Sequence, residues 1–316
     1  MTAKIRLGVS QCLLGDRVRY DGQHKLDRFI TETLGRYVEF VPVCPEVECG
    51  LPVPREAMRL VGNPDAPRLM TQRTGRDLTD QMLTWARKRV VELEKEDLCG
   101  YIFKSKSPSS GMERVKVYNG RGGLSGRAPG MFAREFMNHF PLLPAEDEGR
   151  LHDPDLRENF IERVFTLKRY REASRPKPLL KNLMKFHEQQ KLLVQAHSQD
   201  KARAMGVLLA NAEKAGVAEV SEAYERMLLE ALRLQATPKK HTNVLQHMLG
   251  HFKKLLTADE KAEMVEIIRG YHDGLVPLIV PITLFQHYVR KYDVPWLKHQ
   301  SYLDPHPLEL KLRNHA

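Results

Sequence analysis

Hydrophobic and polar positions follow two different rhythms along this chain, and the change falls near its middle. In the first half, IRLGVSQC (5–12) and VEFVPVC (38–44) are short apolar runs, the pattern of buried strands. Between them, KLDRFITETLGR (25–36) puts Leu26, Phe29, Ile30 and Leu34 on one helical face and ends near Gly35. DLTDQMLTWARKRVVELEKED (77–97) predicts a long amphipathic helix with Met82, Trp85, Ala86 and Leu93 on its apolar stripe. CGYIFKSKS (99–107) predicts a third strand, running to the following SPSSG. APGMFAREFMNHF (128–140) predicts a helix and PLLPAE (141–146) a short fourth strand. Strands alternating with helices define an α/β fold with a Rossmann-like parallel sheet.

Beyond the acidic, turn-rich junction AEDEGRLHDPD (145–155) the two-residue rhythm disappears. ENFIERVFTLKRYRE, LLKNLMKFHEQQKLLVQAHS, SEAYERMLLEALRLQ, TNVLQHMLGHFKKLL and ADEKAEMVEIIRGY all space their apolar residues as helices do. No fixed-period repeat is present. The expectation is two domains, an α/β domain over 1–150 and an all-helical domain over 151–316.

Composition narrows the classes. Of the 316 residues, 42% are hydrophobic and 28% charged, as in a soluble globular protein. The longest apolar run, LVPLIVPITLF (275–285), contains two prolines and is too short to cross a bilayer. The N-terminus lacks the apolar core of a secretory signal, so the expected location is the cytoplasm, without a membrane partner. The formal charge is +10, with 24 Lys/Arg against 20 Asp/Glu in 1–150 and 26 against 20 in the remainder, which also carries 11 of the 13 histidines. That balance suits a polyanionic partner such as nucleic acid.

Four cysteines are too few for a disulfide framework, which leaves core thiol, reactive thiol or metal ligand as readings for each. Sites in an open parallel sheet form beyond the carboxyl ends of its strands. Cys12 ends the first predicted strand, Cys44 the second, Cys49 lies in the same loop as Cys44, and SPSSG (107–111) ends the third. Cys99 begins its strand, and at about 3.3 Å per residue the run 99–106 separates it from that edge by over ~20 Å, so it reads as packing. Three converging thiolates can hold zinc or an iron–sulfur cluster with one coordination position open.

CLLGDRVRYDG (12–22), PVCPEV with GLPVPR (42–55) and KSKSPSSG (104–111) resemble the TudS-type thiouracil desulfidase domain. FHEQQKLLVQAHS, HTNVLQHMLGHF, PLIVPI and HYVRKY resemble the YbgA-like helical domain. The joined arrangement is similar to the RudS-type desulfidases, which act on 4-thiouridine in tRNA, and the helical domain over 151–316 is expected to help hold that tRNA. The resemblance implies a 4Fe-4S cluster held by three cysteines. One departure stands out: short members of the family read SPSCG where this chain has Ser110, and Cys49 stands where a glycine is expected. Cys12, Cys44 and Cys49 are therefore the expected ligands.

On this reading sulfur is removed hydrolytically, without nicotinamide or flavin. Glu46, two residues after Cys44, is the expected acid–base group, while Glu48 reads as an ordinary loop glutamate. Ser107 and Ser109 are candidates to orient water or the pyrimidine, and Tyr20, Asp21 and Lys104 to contact substrate. NGRGGLSGR offers Arg121 as a backbone-phosphate contact but lacks the GK[ST] ending of a P-loop. Lys239 and Lys240, after Pro238, form a second phosphate corner with His241; Arg175, Lys177 and Lys181 form another. His247 and His251 have helical metal-pair spacing without the glutamate of HExxH, and with His187, His197 and His241 read as hydrogen-bonding groups. Free thiobases are the alternative substrate, and a non-catalytic iron–sulfur RNA-binding protein the alternative class.

Overall fold

Four strands make the first sheet: β1 (Ile5–Ser10), β2 (Val38–Val43), β5 (Gly100–Phe103) and β8 (Ala145–Asp147), all parallel, in the order β2-β1-β5-β8. The chain first steps from β1 to β2 on one side, then returns to place β5 on the other. The crevice above β1 and β5 is thus a topological switch point, where open α/β sheets bind ligands. The structure is a computed structural model and describes residues 4–212, 216–310 and 312–314. Residues 1–3, which belong to the N-terminal stretch without a signal core, lie outside it.

Helices α2 (Thr79–Glu94) and α3 (Met131–His139) pack on one sheet face. Val41 and Val43, then Tyr101 and Phe103, alternate onto that face against Ala86, Val90, Phe132 and Phe136. The segment 25–36 is less regular than its periodicity predicts: a wide π turn over Phe29–Thr33 followed by a 3-10 turn over Leu34–Arg36 still buries Ile30 and Leu34. The third strand is also shorter than predicted. The chain turns at Ser105–Lys106, where Lys106 adopts a left-handed φ of 61°, so SPSSG does not continue the strand.

A second sheet, which the apolar pattern does not predict, lies in the same domain, in the order β4-β3-β6-β7. It comprises β3 (Met58–Asn63), β4 (Ala66–Thr71), β6 (Val115–Tyr118) and β7 (Leu124–Ala128). Met58, Leu60, Leu69, Val115 and Val117 pack under α2 through Leu78 and Met82. The glycine-rich segment is therefore the tip of the β6–β7 hairpin.

Among the described residues the chain folds as two compact units, one ending at Leu156 and the other beginning at Arg157. The second is helical: α4 (Pro154–Ser174, its first three residues in the preceding unit), α5 (Leu180–His197), α6 (Gln199–Ala210), α7 (Val217–Leu232), α8 (Pro238–Gly250), α9 (Ala258–His272), α10 (Ile279–Lys291) and α11 (Pro295–Lys298). Thr257 and Glu260 close a reciprocal capping box at α9. Leu192, Leu245, Met248, Phe252, Ile282 and Phe285 form its core. No described helix is long and apolar enough to cross a membrane.

The helical unit buries a polar network. The Arg313 guanidinium donates to Glu162 at 2.8 Å, Glu158 at 3.1 Å and the Tyr302 carbonyl at 2.6 Å. Glu162 also meets His197 at 3.3 Å, and His241 meets the Tyr302 hydroxyl at 2.9 Å. Burial pushes His241 down to about 3 and His306 down to about 4, with the Arg313 charge adding to both. Their folded pKa values lie below the ordinary 6.5, so the unfolded chain binds protons first as pH falls. The stability of these neutral histidines is fully present above pH 6.5 and declines down to pH 4 and beyond. Thermal melts of the helical unit should therefore show a midpoint falling steadily over that interval; a flat midpoint would contradict the burial.

Candidate functional site

Ser10 of β1 stands level with Val43 of β2, so the two strands release Cys12 and Cys44 at the same sheet edge. Cys12 sits in a 3-10 turn (Gln11–Leu14), and Cys44 precedes the short helix α1 (Pro45–Glu48). Both line a cavity of about 380 Å³, within the range of small-molecule sites. Burial pushes the Cys12 thiol up to about 11, opposed by the charges of Lys104 and Arg19; burial likewise raises Cys44. None of the four cysteines is in a disulfide.

SPSSG forms the opposite wall. Two of its carbonyls satisfy the start of α3: Met131 N–H donates to Pro108 O at 3.1 Å and Phe132 N–H to Ser109 O at 3.0 Å. A Cβ on Gly130 would come within 2.6 Å of the Ser109 carbonyl, so only glycine allows this approach. Ser109 Oγ donates to Glu46 Oε1 at 2.8 Å and stands 3.0 Å from Ser107 Oγ, which accepts Ser110 N–H at 3.1 Å. Ser110 is buried and lines the cavity.

Glu46 Oε2 is held by Arg55, whose Nε donates at 2.9 Å and whose second nitrogen makes a shorter contact. The same guanidinium donates to Val18 O at 2.9 Å and Pro52 O at 3.2 Å, and its side chain is only 5% exposed. Arg55 was missed as a functional residue in the sequence, although GLPVPR contains it; a lone arginine beside prolines carries no periodic signal. Glu48 accepts the Cys44 N–H at 2.9 Å and pairs with Arg89 at 3.0 Å, which fixes α1 upon α2.

The remaining candidates divide. Lys104 lines the cavity with its ammonium bound to Glu148 and to Ser105 O at 3.0 Å. Tyr20 lines it too, 42% exposed, with the Arg19 guanidinium 5.4 Å above its ring. Asp21 is outside the lining and shapes the adjacent turn, accepting from Gln23 N–H at 3.1 Å. Cys49 is also outside the lining: its thiol donates to Glu46 O at 3.3 Å and packs beside Leu51 against the second-sheet core. Burial pushes it up to about 11, with the nearby Glu46 and Cys44 charges adding. Cys99 is buried one residue before β5, level with Arg6, about six residues or ~20 Å from Cys12.

Arg121 stands at the exposed β6–β7 tip. The glycine loop there is no phosphate cradle: Asn119 Oδ1 takes Arg121 N–H at 3.0 Å and Gly123 N–H at 2.9 Å, so these amides are spent within the turn. In the helical unit, Lys240 donates at 2.8 Å to both His197 O and Gln235 O, capping α5, while Lys239 is exposed. Arg175, Lys177 and Lys181 are exposed before and at the start of α5. His187 meets the Tyr224 hydroxyl at 3.1 Å, and His251 stacks on Trp296 with centroids 4.5 Å apart and lies 5.4 Å from His247.

The donor set suits a soft metal centre. Two thiols leave adjacent strands into one cavity, burial disfavours their bare thiolates, and a cation replacing their protons would relieve that cost. A third thiol, Cys49, directly follows α1, with its Sγ on the Glu46 carbonyl.

Fold and site together define an α/β domain with a thiol-lined cavity at its switch point, followed by a helical unit. Residues 7–148 match the family model described as 2-thiouracil desulfurase, and residues 191–307 match a protein family of unknown function, DUF1722. The chain is 30% identical over 133 residues to the uncharacterized protein YbgA of Escherichia coli (strain K12), covering 42% of this chain and 79% of that protein. A solved 4Fe-4S-dependent thiouracil desulfidase, TudS, aligns over 48% of this chain and 95% of its own at 29% identity and a TM-score of 0.40. The chain belongs to the YbgA family and carries a 2-thiouracil desulfurase domain ahead of its YbgA-like part.

Proposed function

We propose that the protein hydrolytically removes sulfur from thiolated uracil, with 4-thiouridine in tRNA as its substrate. The observation that carries this is the chain of hydrogen bonds Ser107–Ser109–Glu46–Arg55 facing Cys12 and Cys44 across one cavity. The overall reaction exchanges a C4 thiocarbonyl and water for a C4 carbonyl and hydrosulfide, so no electrons enter or leave. A 4Fe-4S cluster held by Cys12, Cys44 and Cys49 would supply an open iron as a soft acceptor for the departing sulfur.

Arg55 occupies Glu46 Oε2, so proton traffic runs through Oε1 and the Ser109 hydroxyl that donates to it. The carboxylate takes a proton as water adds to C4 and returns it as the C–S bond breaks. Ser107 orients Ser109, and Lys104 with Tyr20 borders the space for the base. The basic composition of the chain supports a polyanionic carrier of that base.

The test is anaerobic reconstitution, iron and sulfide determination, then incubation with 4-thiouridine-containing tRNA and, separately, free 4-thiouracil. Loss of the thiolated nucleoside is expected; loaded protein that leaves it untouched defeats the reading, and turnover of the free base alone moves the substrate to that class. Cys49→Ala should lose the cluster absorbance and Cys99→Ala retain it; the reverse would reassign the third ligand.

A further inference from the structure

A groove bordered by the outer face of the second sheet and the ends of the serine loop carries five cations that the desulfuration chemistry leaves unused. Arg59, Lys106, Arg114, Lys116 and Arg127 line a groove of about 650 Å³, and among the described residues none of the five is in an ion pair. By contrast, Arg55, Arg89 and Lys104 in the same domain have carboxylate partners, as does Arg150, which also lines the groove and pairs with Glu146. Two carboxylates, Glu113 and Asp147, share the groove, which leaves its lining strongly positive.

Two features show that this charge is held against local cost. Lys116 of β6 stands directly opposite Arg127 of β7, a cross-strand pair of like charge that weakens a hairpin. Lys106 and Arg114 bracket the serine loop in left-handed backbone, at φ 61° and 56°, a region that L side chains rarely adopt. Strain of this kind persists only where the surrounding structure holds it. The strand alternation explains the geometry: Val115 and Val117 point into the core, so Lys116 and Tyr118 point outward. The Arg59 guanidinium lies 5.6 Å from the Tyr118 ring centroid, an arginine–aromatic pair on which a base can stack. Met58, Lys106 and Pro108 border this groove and the thiol-lined cavity alike, so the two adjoin.

We propose that this face seats the RNA strand leading the thiolated base into the cavity, with its phosphates on the five cations and a neighbouring base on Tyr118. The proposal rests on the tRNA reading above and assigns the strand a path along the α/β domain itself. Free bases and nucleosides would not need it.

The experiment measures binding of unmodified tRNA by filter retention across a salt series, and turnover of free 4-thiouridine nucleoside, for Lys116→Ala/Arg127→Ala and for Tyr118→Ala. The double variant should bind tRNA about tenfold more weakly at roughly 0.1 M salt, with the slope of log affinity against log salt reduced by about one to two. Its nucleoside turnover should stay within about twofold of the parent, and its melting temperature should hold or rise as the like-charge pair is removed. Tyr118→Ala should lose about tenfold in affinity with the salt slope unchanged, because stacking releases no counterions. Unchanged tRNA affinity and slope in both variants overturns the proposal, as does nucleoside turnover falling in step with tRNA binding. Loss of binding to anionic lipid vesicles with tRNA binding intact would assign the face to a membrane surface and overturn it too. Since binding is read without turnover, failure here is distinct from failure of the desulfuration reading.

Discussion

Glu46→Gln is expected to lower desulfuration by about 10²–10⁴-fold per folded, cluster-loaded molecule, the usual contribution of a general acid–base group. Glutamine preserves the shape of the side chain and one acceptor oxygen for Ser109 or Arg55, but it cannot take up the proton from water. It also leaves the Arg55 guanidinium, 5% exposed, without its counter-charge. Removing one partner of such a pair costs about 3–5 kcal/mol, so the folded fraction must be measured by circular dichroism in the same samples. Single-turnover rates on 4-thiouridine-containing tRNA, normalised to that fraction and to iron content, decide the matter. Retention of more than a fifth of the parent rate removes Glu46 from the chemistry. If Cys12→Ala abolishes function while Glu46→Gln spares it, the cluster is structural and the protein belongs to a non-catalytic class.

The largest stability effect should come from Arg313→Ala in the helical unit. Arg313 supplies the positive charge facing Glu158 and Glu162, at 3.1 and 2.8 Å, and its own side chain is 3% exposed. Burial acts to raise the Glu162 carboxyl, but its His197 hydrogen bond and the Arg313 charge hold it below the usual carboxylate range. Without Arg313, two nearly buried carboxylates face each other, and the unit should lose about 3–5 kcal/mol. For a domain of this size that corresponds to roughly 6–20 °C in melting temperature, checked by urea titration and thermal melts. Neutralising the acids as well, with Glu158→Gln and Glu162→Gln in the Arg313→Ala background, should recover part of the loss. A single variant melting within 2 °C of the parent would show that water or a side-chain shift solvates the carboxylates.

Much of the architecture was legible because local pattern and burial coincide. β1, β2, α2 and α3 follow their apolar spacing closely, and each packs its predicted side chains in the core. The second sheet was not legible. Its strands alternate over only four to six residues, and Leu60 meets Val117 across more than fifty intervening positions. Local periodicity carries no trace of such a pairing. The shortened β5 has a similar origin: KSKS could have continued the strand, but the Lys104–Glu148 and Ser105–Glu148 contacts turn it toward the end of β8.

For the site, the sequence by itself determined the chemical inventory: three thiols and a glutamate beyond two strand ends, and serines beyond a third. A common edge for these groups then followed from the α/β rhythm, because parallel strands release their chains on the same side of the sheet. Tertiary structure alone decided which groups meet. It delivered Glu46 to Ser109 across 63 positions, bound it with a buried arginine, and drew Cys12 and Cys44 into one cavity while leaving Cys49 outside its lining. It also gathered three cations from three strands and two from the flanks of the serine loop into one groove. Hydrogen bonds and charge contacts act over a few ångströms, and only the folded backbone sets which distant residues come that close.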